Sequence, residues 1–382
     1  MKTVGKKILI APTAFKGTLS PQMVARAIED GVVQAGGRPP VQIGIEIESI
    51  ILPLADGGDG TLETVYQSSQ GRLHDEQVLG ATGKPVHARW LQLDRQALVE
   101  LASCCGIGLL SVDQLNPLQA STYGLGQMIC RCREFGMETI NVALGGSAST
   151  DGGMGALRAI GVCFFDRDGK EIDESGGAAL STVRDVDVTG ARWLTRESKL
   201  RVLTDVHNPL LGAQGAAHVF APQKGASSSQ VDILESAMQQ YADVLEQSTG
   251  KRLRDVPGAG AAGGTAFGLA CCLDAEIASG FQWLAGIAGL EDKLRQCDLV
   301  ITGEGRFDSQ SLSGKVTGEL LKLCRQYNKP LWVVAGAAAG HEAITGLEKI
   351  IVPQAKAGSL CNADDITASV SEALQLFPLV EE

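Results

Sequence analysis

Residues 298–306 read DLVITGEGR. A short apolar run ends in two glycines that bracket a carboxylate, with a guanidinium directly after them. An apolar run of this length, bounded by turn formers, fits a strand buried on both faces, as in parallel sheets. Two further runs follow, Pro330–Ala335 (PLWVVA) and Ile350–Val352, with helical spacing around Val316–Tyr327 and Asp364–Leu376. The other end of the chain repeats the pattern. Lys7–Ala11 (KILIA) reads as a strand, and Ser20–Val33 places Val24, Ala27, Ile28 and Val32 on one helical face. Ser20 is placed to cap that helix, with Pro21 at its first position. Apolar strands alternating with helices predict an α/β fold, a doubly wound parallel sheet built from both termini.

The middle of the chain reads differently. Val86–Leu93 (VHARWLQL) alternates, Asp94-Arg95 can turn, and Ala97–Leu101 can return as a strand. Cys163–Ile172 contains Asp168-Gly169, a hairpin signal. Helical pieces around Gly126–Phe135 and Val231–Gln247 make this part mixed α+β. A chain of 382 residues suggests two or three domains. The expected division is a discontinuous domain, 1–75 plus 290–382, and an inserted α+β domain, 76–289, with the active site in the cleft between them. Insertion at a loop is permitted because the ends of a compact domain often lie close together.

Composition narrows the function. Hydrophobic residues are 44% and charged residues 20%, values for a chain with a sizeable core rather than a disordered one. The formal charge of −11, from 33 basic and 44 acidic residues, argues against a nucleic-acid partner, since that binding needs Lys and Arg against phosphates. None of the ten cysteines forms a C-x-x-C pair, and most sit in apolar stretches such as LACCL, so they read as small buried hydrophobes of a reducing compartment. The longest apolar stretch, Leu331–Ala339, is far below the ~20 residues of a membrane span. A cytoplasmic protein without a membrane partner is expected.

Forty-seven glycines are the unusual count, and they cluster. Leu144–Gly155 (LGGSASTDGGMG) follows an apolar run and precedes a helical pattern. Its Gly145, Gly146 and Ser147 would let backbone N–H groups approach an anion at a helix N-terminus. Pro257–Gly264 (PGAGAAGG) contains Gly258-x-Gly260-x-x-Gly263, the form of a dinucleotide fingerprint with Asp274 and Glu276 downstream. The preceding KRLRDV is too charged for a buried strand, so close packing is the alternative there. Gly303 and Gly305 close the third cluster, at the carboxyl edge where open α/β sheets bind ligands. Gly314-Lys315 lacks the rest of a Walker motif, and Gly146-Ser147-Ala148 lacks the second glycine of a nucleophile elbow.

Polar residues embedded in these loops decide the class. Asp56 and Asp59 sit in PLADGGDGT, Asp151 in STDGG, Asp205 and Asn208 in LTDVHNPL, and Glu304, Arg306 and Asp308 in GEGRFD. Cations accompany them: Lys16 in AFKGT, Lys224 in APQKGA, Lys315 in LSGK. One such Asp is usually a turn former, and one such Lys is usually solvated. Several of both kinds beside glycines suit phosphoryl transfer. Backbone donors and cations cradle phosphates there, one carboxylate holds Mg²⁺, and another accepts the hydroxyl proton.

Taken together, the motifs resemble the bacterial glycerate kinase type 1 family. The resemblance runs through APTAFKGTLS (11–20), PLADGGDGT (53–61), STYGLGQ (121–127), GGSASTDGGMG (145–155), TDVHNPLLGAQGA (204–216), FAPQKGA (220–226), PGAGAAGG (257–264) and TGEGRFDSQSLSGK (302–315). It implies a flavodoxin-like domain made from both termini, with a second domain inserted. It also implies ATP-dependent phosphorylation of D-glycerate with Mg²⁺, the 2-phosphoglycerate product being favoured over the 3-isomer. Mapped onto these motifs, Asp205, Asp308 and Lys16 become the catalytic set, with Asp205 also holding Mg²⁺. Arg306, Asp56, Asn208, Lys224 and Ser147 would bind substrate. Gly145, Gly146, Gly258, Gly260, Gly263, Gly303 and Gly305 would line the phosphates, and a homodimer is possible. The chain departs from the family at Thr13 and Ala14, where an acidic residue and a serine are usual, at Ser149-Thr150 in place of Thr-Asn, and at Thr204 in place of Cys. Two alternatives stay open: a kinase of another small hydroxy acid, motivated by Thr13 and Ala14, and a silent nucleotide-binding protein.

Overall fold

The computed structural model describes residues 6–15, 18–37, 47–55, 57–58, 60–312, 316–339, 344–354 and 361–375. Its strands begin with β1 (Lys6–Ile10) and β2 (Ile47–Ile51). The middle of the chain supplies β3 (Arg72–Leu79), β4 (Pro85–Leu93), β5 (Gln96–Glu100), β6 (Thr139–Ala143), β7 (Cys163–Phe165), β8 (Asp185–Asp187), β9 (Lys199–Leu203) and β10 (Glu276–Ala278). The last three are β11 (Leu299–Phe307), β12 (Leu331–Ala338) and β13 (Leu347–Ile351). The chain divides into two compact units, Met1–Asp56 with Phe281–Glu382, and Gly57–Gly280. These borders differ from the expected 75/76 and 289/290. Residues 57–75 go with the second unit because β3 pairs along its whole length with β4.

The first unit is a parallel sheet in the order β13-β12-β11-β1-β2. Numbered within the unit, that is the 2-1-3-4-5 order of flavodoxin-like folds, whose switch point lies between β1 and its third strand, here β11. Ile8, Leu9 and Ile10 are wholly buried, as a central strand covered on both faces requires. Helices Pro21–Gly37 and Ala363–Gln375 cover one face, where Val24, Ile28, Ile366 and Val370 meet Ile8, Ile10, Trp332 and Val334. Each such side chain contributes roughly 1.5–3 kcal/mol by leaving water. The first helix starts as its sequence indicates, with Ser20 Oγ accepting from Met23 N–H at 3.3 Å. One expectation is corrected here. Gly303–Arg306 is not a loop after the strand but part of β11, since Gly303, Glu304 and Arg306 pair with Val334, Ala335 and Ala337 of β12.

The second unit has a six-stranded sheet in the order β10-β9-β6-β5-β4-β3. Strands β10, β9, β6 and β5 are parallel, and β4 and β3 extend the sheet antiparallel. Asp94, at φ 52°, makes the turn into β5. The side chains of Trp90, Ile140, Phe164, Leu157, Tyr241 and Phe267 form its core. Asp168-Gly169 does turn the chain, but β7 finds its partner in β8, and the return strand is reduced to one bridge, Phe165 to Glu171. Residues 250–257, directly before Gly258, form loop and turn rather than a strand, so the dinucleotide fingerprint lacks its structural context. All ten cysteines are free, seven of them buried. Among the described residues no helix is long and apolar enough to cross a membrane.

Candidate active site

The carboxyl ends of four parallel strands form one row in the second unit, where Glu100, Ala143, Leu203 and Ala278 are register partners across β5, β6, β9 and β10. Just past the row come Gly145, Asp205 and Ser279. The segment that starts at Gly57 packs against it. Gly57 O accepts from Gly145 N–H at 3.0 Å, and a Cβ on Gly145 would stand 2.2 Å from Gly58 Cα. Only glycine permits that approach. Glu100 is buried, and its Oε1 accepts from Leu62 N–H at 3.2 Å, in the first turn of helix Thr61–Ser68. Asp205 is half-buried, and its Oδ1 accepts from Ser279 Oγ at 2.7 Å.

From Gly145 the chain enters a buried polar loop. Ser147 Oγ donates to Ser149 O at 3.3 Å and accepts from Ser149 N–H at 3.1 Å. Asp151 is wholly buried. Its Oδ2 accepts from Thr122 N–H and Oγ1, both at 2.8 Å, and from Gly155 N–H at 3.2 Å; its Oδ1 accepts from Gly153 N–H at 3.2 Å. The helix start expected directly after Gly145–Ser147 lies elsewhere. The helix begins later, at Met154, and the anion at its N-terminus is the protein's own Asp151. Gly145 N–H is likewise committed, to Gly57. Burial pushes the Asp151 carboxyl up, against the four hydrogen bonds that favour its charge.

Lys224 is the unusual group. Its side chain is 3% exposed, and its ammonium donates to Ser149 O. Burial lowers its pKa from 10.5 to about 8, while the charge of Asp151 acts the other way. Thr150 Oγ1, next in sequence to Ser149, and Tyr241 Oη are buried without a hydrogen-bond partner. A cation buried this deeply can attract a carboxylate or a phosphoryl oxygen far more strongly than it would in water.

The Gly258–Gly264 segment closes on these loops. Gly260 N–H donates to Asn208 O, and Gly152 N–H to Gly263 O, both at 3.0 Å. A Cβ on Gly263 would stand 2.3 Å from Ser149 O, and Gly263 also has φ +66°. A Cβ on Gly260 would stand 2.3 Å from Pro209 O, and one on Gly258 would come within 3.3 Å of Thr204 and Val206. Close packing of loops therefore accounts for these glycines. Asn208 Nδ2 donates to Gln214 O at 2.7 Å, which tightens the turn after Asp205.

The first unit carries the remaining described candidates on β11 and the turn after it. Gly303 O accepts from both the N–H and the Oγ1 of Thr13, at 2.7 and 2.9 Å, at the switch point between β1 and β11. Glu304 is buried and accepts from Ser311 Oγ at 2.7 Å. Gly305 O lies 2.8 Å from where a Cβ on Gly336 would be. Arg306 projects to solvent, its side chain 72% exposed and its Nε 3.4 Å from Asp308 Oδ2. Lys16 and Asp56, with Asp59 and Lys315, lie outside the described residues.

The second unit thus gathers Gly145, Gly146, Ser147, Asp205, Asn208, Lys224, Gly258, Gly260 and Gly263 from segments far apart in sequence. Three of its polar residues escape the sequence reading. Glu100 has a signal, a carboxylate that closes the apolar strand QALVE. Thr122 lies in the STYGLGQ motif but with no sign of its partner, and Ser279 has no signal, because their partners are set by the packing of distant strand and helix ends.

A family model described as the glycerate kinase family matches residues 8–375. A glycerate 2-kinase of Escherichia coli is 38% identical over 333 residues, 87% of this chain and 85% of that protein. A glycerate kinase of Bacillus subtilis is 39% identical over 333 residues, with the same coverage of both. A crystal structure from Salmonella typhimurium LT2, provisionally described as glycerate kinase 2, superposes with a TM-score of 0.81 at 33% identity, covering 97% of this chain and 96% of that one.

Proposed function

The chain belongs to the glycerate kinase family, and on that premise we propose that it transfers the γ-phosphoryl group of ATP to D-glycerate, releasing ADP. The 2-hydroxyl is the favoured acceptor, in line with the name of the Escherichia coli relative. The observation that carries the reading within the fold is the meeting of four family motifs around buried Lys224 and half-buried Asp205.

In this reading Asp205 takes the proton of the acceptor hydroxyl as its oxygen forms the new bond to γ-phosphorus. The bond from phosphorus to the bridging oxygen breaks, and ADP leaves with that electron pair. Asp308 is the second carboxylate of the set and Lys16 its cation. Lys224, Ser147, Asn208 and Asp56 bind substrate, and the exposed fork of Arg306 suits the glycerate carboxylate.

Among the described residues no group of three or more His, Cys, Asp or Glu could hold a metal by itself. That suits Mg²⁺, which is commonly held by one or two carboxylates together with substrate phosphates. Asp205 is the residue that would hold it, and Mg²⁺ would neutralise charge on the phosphates. The reading is tested by phosphorus NMR after incubation with D-glycerate and Mg-ATP. A phosphomonoester of glycerate with matching ADP is expected, and Asp205→Asn should lower kcat by about 10²–10⁴. No product from D-glycerate, with turnover of another hydroxy acid in the same assay, would contradict it.

A further inference from the structure

We infer that the second unit carries a further binding site, for a phosphate monoester with an apolar or aromatic body. The site is a cleft of about 530 Å³ lined by helix Arg192–Glu197 and by the carboxyl ends of helices Ser228–Thr249 and Ala261–Leu273. That volume suits a small-molecule ligand. None of the lining residues belongs to the motifs of the family resemblance, and the proposed phosphoryl transfer uses none of them. From Thr265 to Leu273 the helix rises about 13 Å, which sets the cleft apart from the Gly258–Gly264 loops.

Charge decides the ligand. Arg192 and Arg196 stand one turn apart on their helix, and both line the cleft. Among the described residues neither guanidinium makes a hydrogen bond or an ion pair. Like charges at that spacing repel and weaken a helix. Lys251, also in the lining, is already engaged. Its ammonium donates to Ala270 O at 3.2 Å and Cys271 O at 2.6 Å, and it pairs with Asp274 Oδ1 at 2.7 Å. Asp187, between the lining residues Val186 and Val188, accepts from Thr189 N–H and Oγ1 at 2.8 and 2.6 Å. The cleft therefore keeps two positive charges in excess, in a chain whose formal charge is −11. Two guanidinium forks match the dianionic head of a phosphate monoester. The helix carboxyl ends disfavour an anion, so the head belongs at the arginines. The body then meets Val186, Val188 and Leu273, of which Val186 and Leu273 are buried and Val188 half-buried. A cleft of about 660 Å³ in the first unit has no such excess, since Arg295 pairs with Glu291 and Asp292, and Lys322 with Glu319.

The probe is phenyl phosphate, whose head is dianionic above a second pKa of about 6. Methyl NMR of Val186, Val188 and Leu273 in the full chain reports the cleft itself, so binding elsewhere does not enter the readout. Phenyl phosphate should shift these methyl signals saturably. Inorganic phosphate lacks the body and phenol lacks the charge, so each should bind at least about 10-fold more weakly. The double variant Arg192→Gln, Arg196→Gln should raise the apparent Kd of phenyl phosphate at least about 10-fold. Both side chains are exposed, so the variant should keep the melting temperature and kcat of the wild type. Unmoved methyl signals would overturn the inference, as would an unchanged Kd in the double variant. Phosphate or phenol binding as tightly as phenyl phosphate would overturn the ligand class, and the inference with it.

Discussion

Lys224 shows how far a single residue can depart from its ordinary chemistry. A fall in pKa from 10.5 to about 8 corresponds to roughly 3 kcal/mol against the charged form, at about 1.4 kcal/mol per pH unit. The fold carries that penalty at neutral pH, where the ammonium is still charged. The sign for stability follows directly. Between about pH 8 and 10.5 the unfolded chain binds more protons at this residue than the folded one, so Lys224 makes the fold relatively more stable as pH rises through that window. Catalysis should move the opposite way, with activity falling above about pH 8 as the ammonium loses its proton. Lys224→Met separates the two effects. Ser149 O keeps a donor in Ser147 Oγ, so the variant should melt no lower than wild type at pH 7. Its kcat/KM for glycerate should drop by at least about 10², the scale of one lost charge-assisted contact at the reacting centre. A lower melting temperature with retained kcat/KM would make Lys224 a structural lysine.

At the scale of elements, glycines near the site do two separable jobs. Gly145 shows no positive φ, yet a Cβ there would stand 2.2 Å from backbone. Gly83, in the turn between β3 and β4, has φ +76° and open space around it. Gly83→Ala should therefore lose about 1 kcal/mol, the strain of a left-handed alanine. Gly145→Ala should lose about 3 kcal/mol or more, because two backbone segments must part. Urea midpoints of the two variants at constant m-value measure the difference, and equal losses would contradict the packing account. The same distinction explains what the sequence makes legible. Strands β1, β11 and β12 and the capped helix after Ser20 announce themselves, because apolar runs and cap chemistry are local. The extension of β11 through GEGRF is not legible, since glycines and charges are poor strand formers and only pairing with β12 makes them one. Asp151 is visible as a residue in a glycine turn, but its hold on the starts of helices Tyr123–Glu134 and Met154–Ile160 depends on where Thr122 lies. A motif search therefore marks the loops but not the internal bonds that some of their backbone donors make.

For the whole molecule, the division into units gives the insertion a physical basis. The second unit is one continuous segment with its own sheet and its own core, whereas the first is assembled from both ends of the chain. The ends of the inserted segment meet, for a Cβ on Gly57 would stand 3.5 Å from Gly280 Cα. A unit whose ends coincide can enter a loop of another domain without stretching either one. Its edge strand β3 carries Arg72, Asp75 and Glu76, charges that discourage edge-to-edge pairing. Residues 57–280 expressed alone should therefore fold. The fragment should melt in one cooperative transition and retain the near-ultraviolet dichroism of Trp90, which is buried in that core beside Phe135 and His74. The cluster around Lys224 should survive with it, because Ser149, Asp151, Thr122 and Gly263 all lie inside the segment. The fragment should then show the same depressed lysine pKa by NMR titration as the full chain. A broad, non-cooperative melt would show that the discontinuous unit is needed to complete this core.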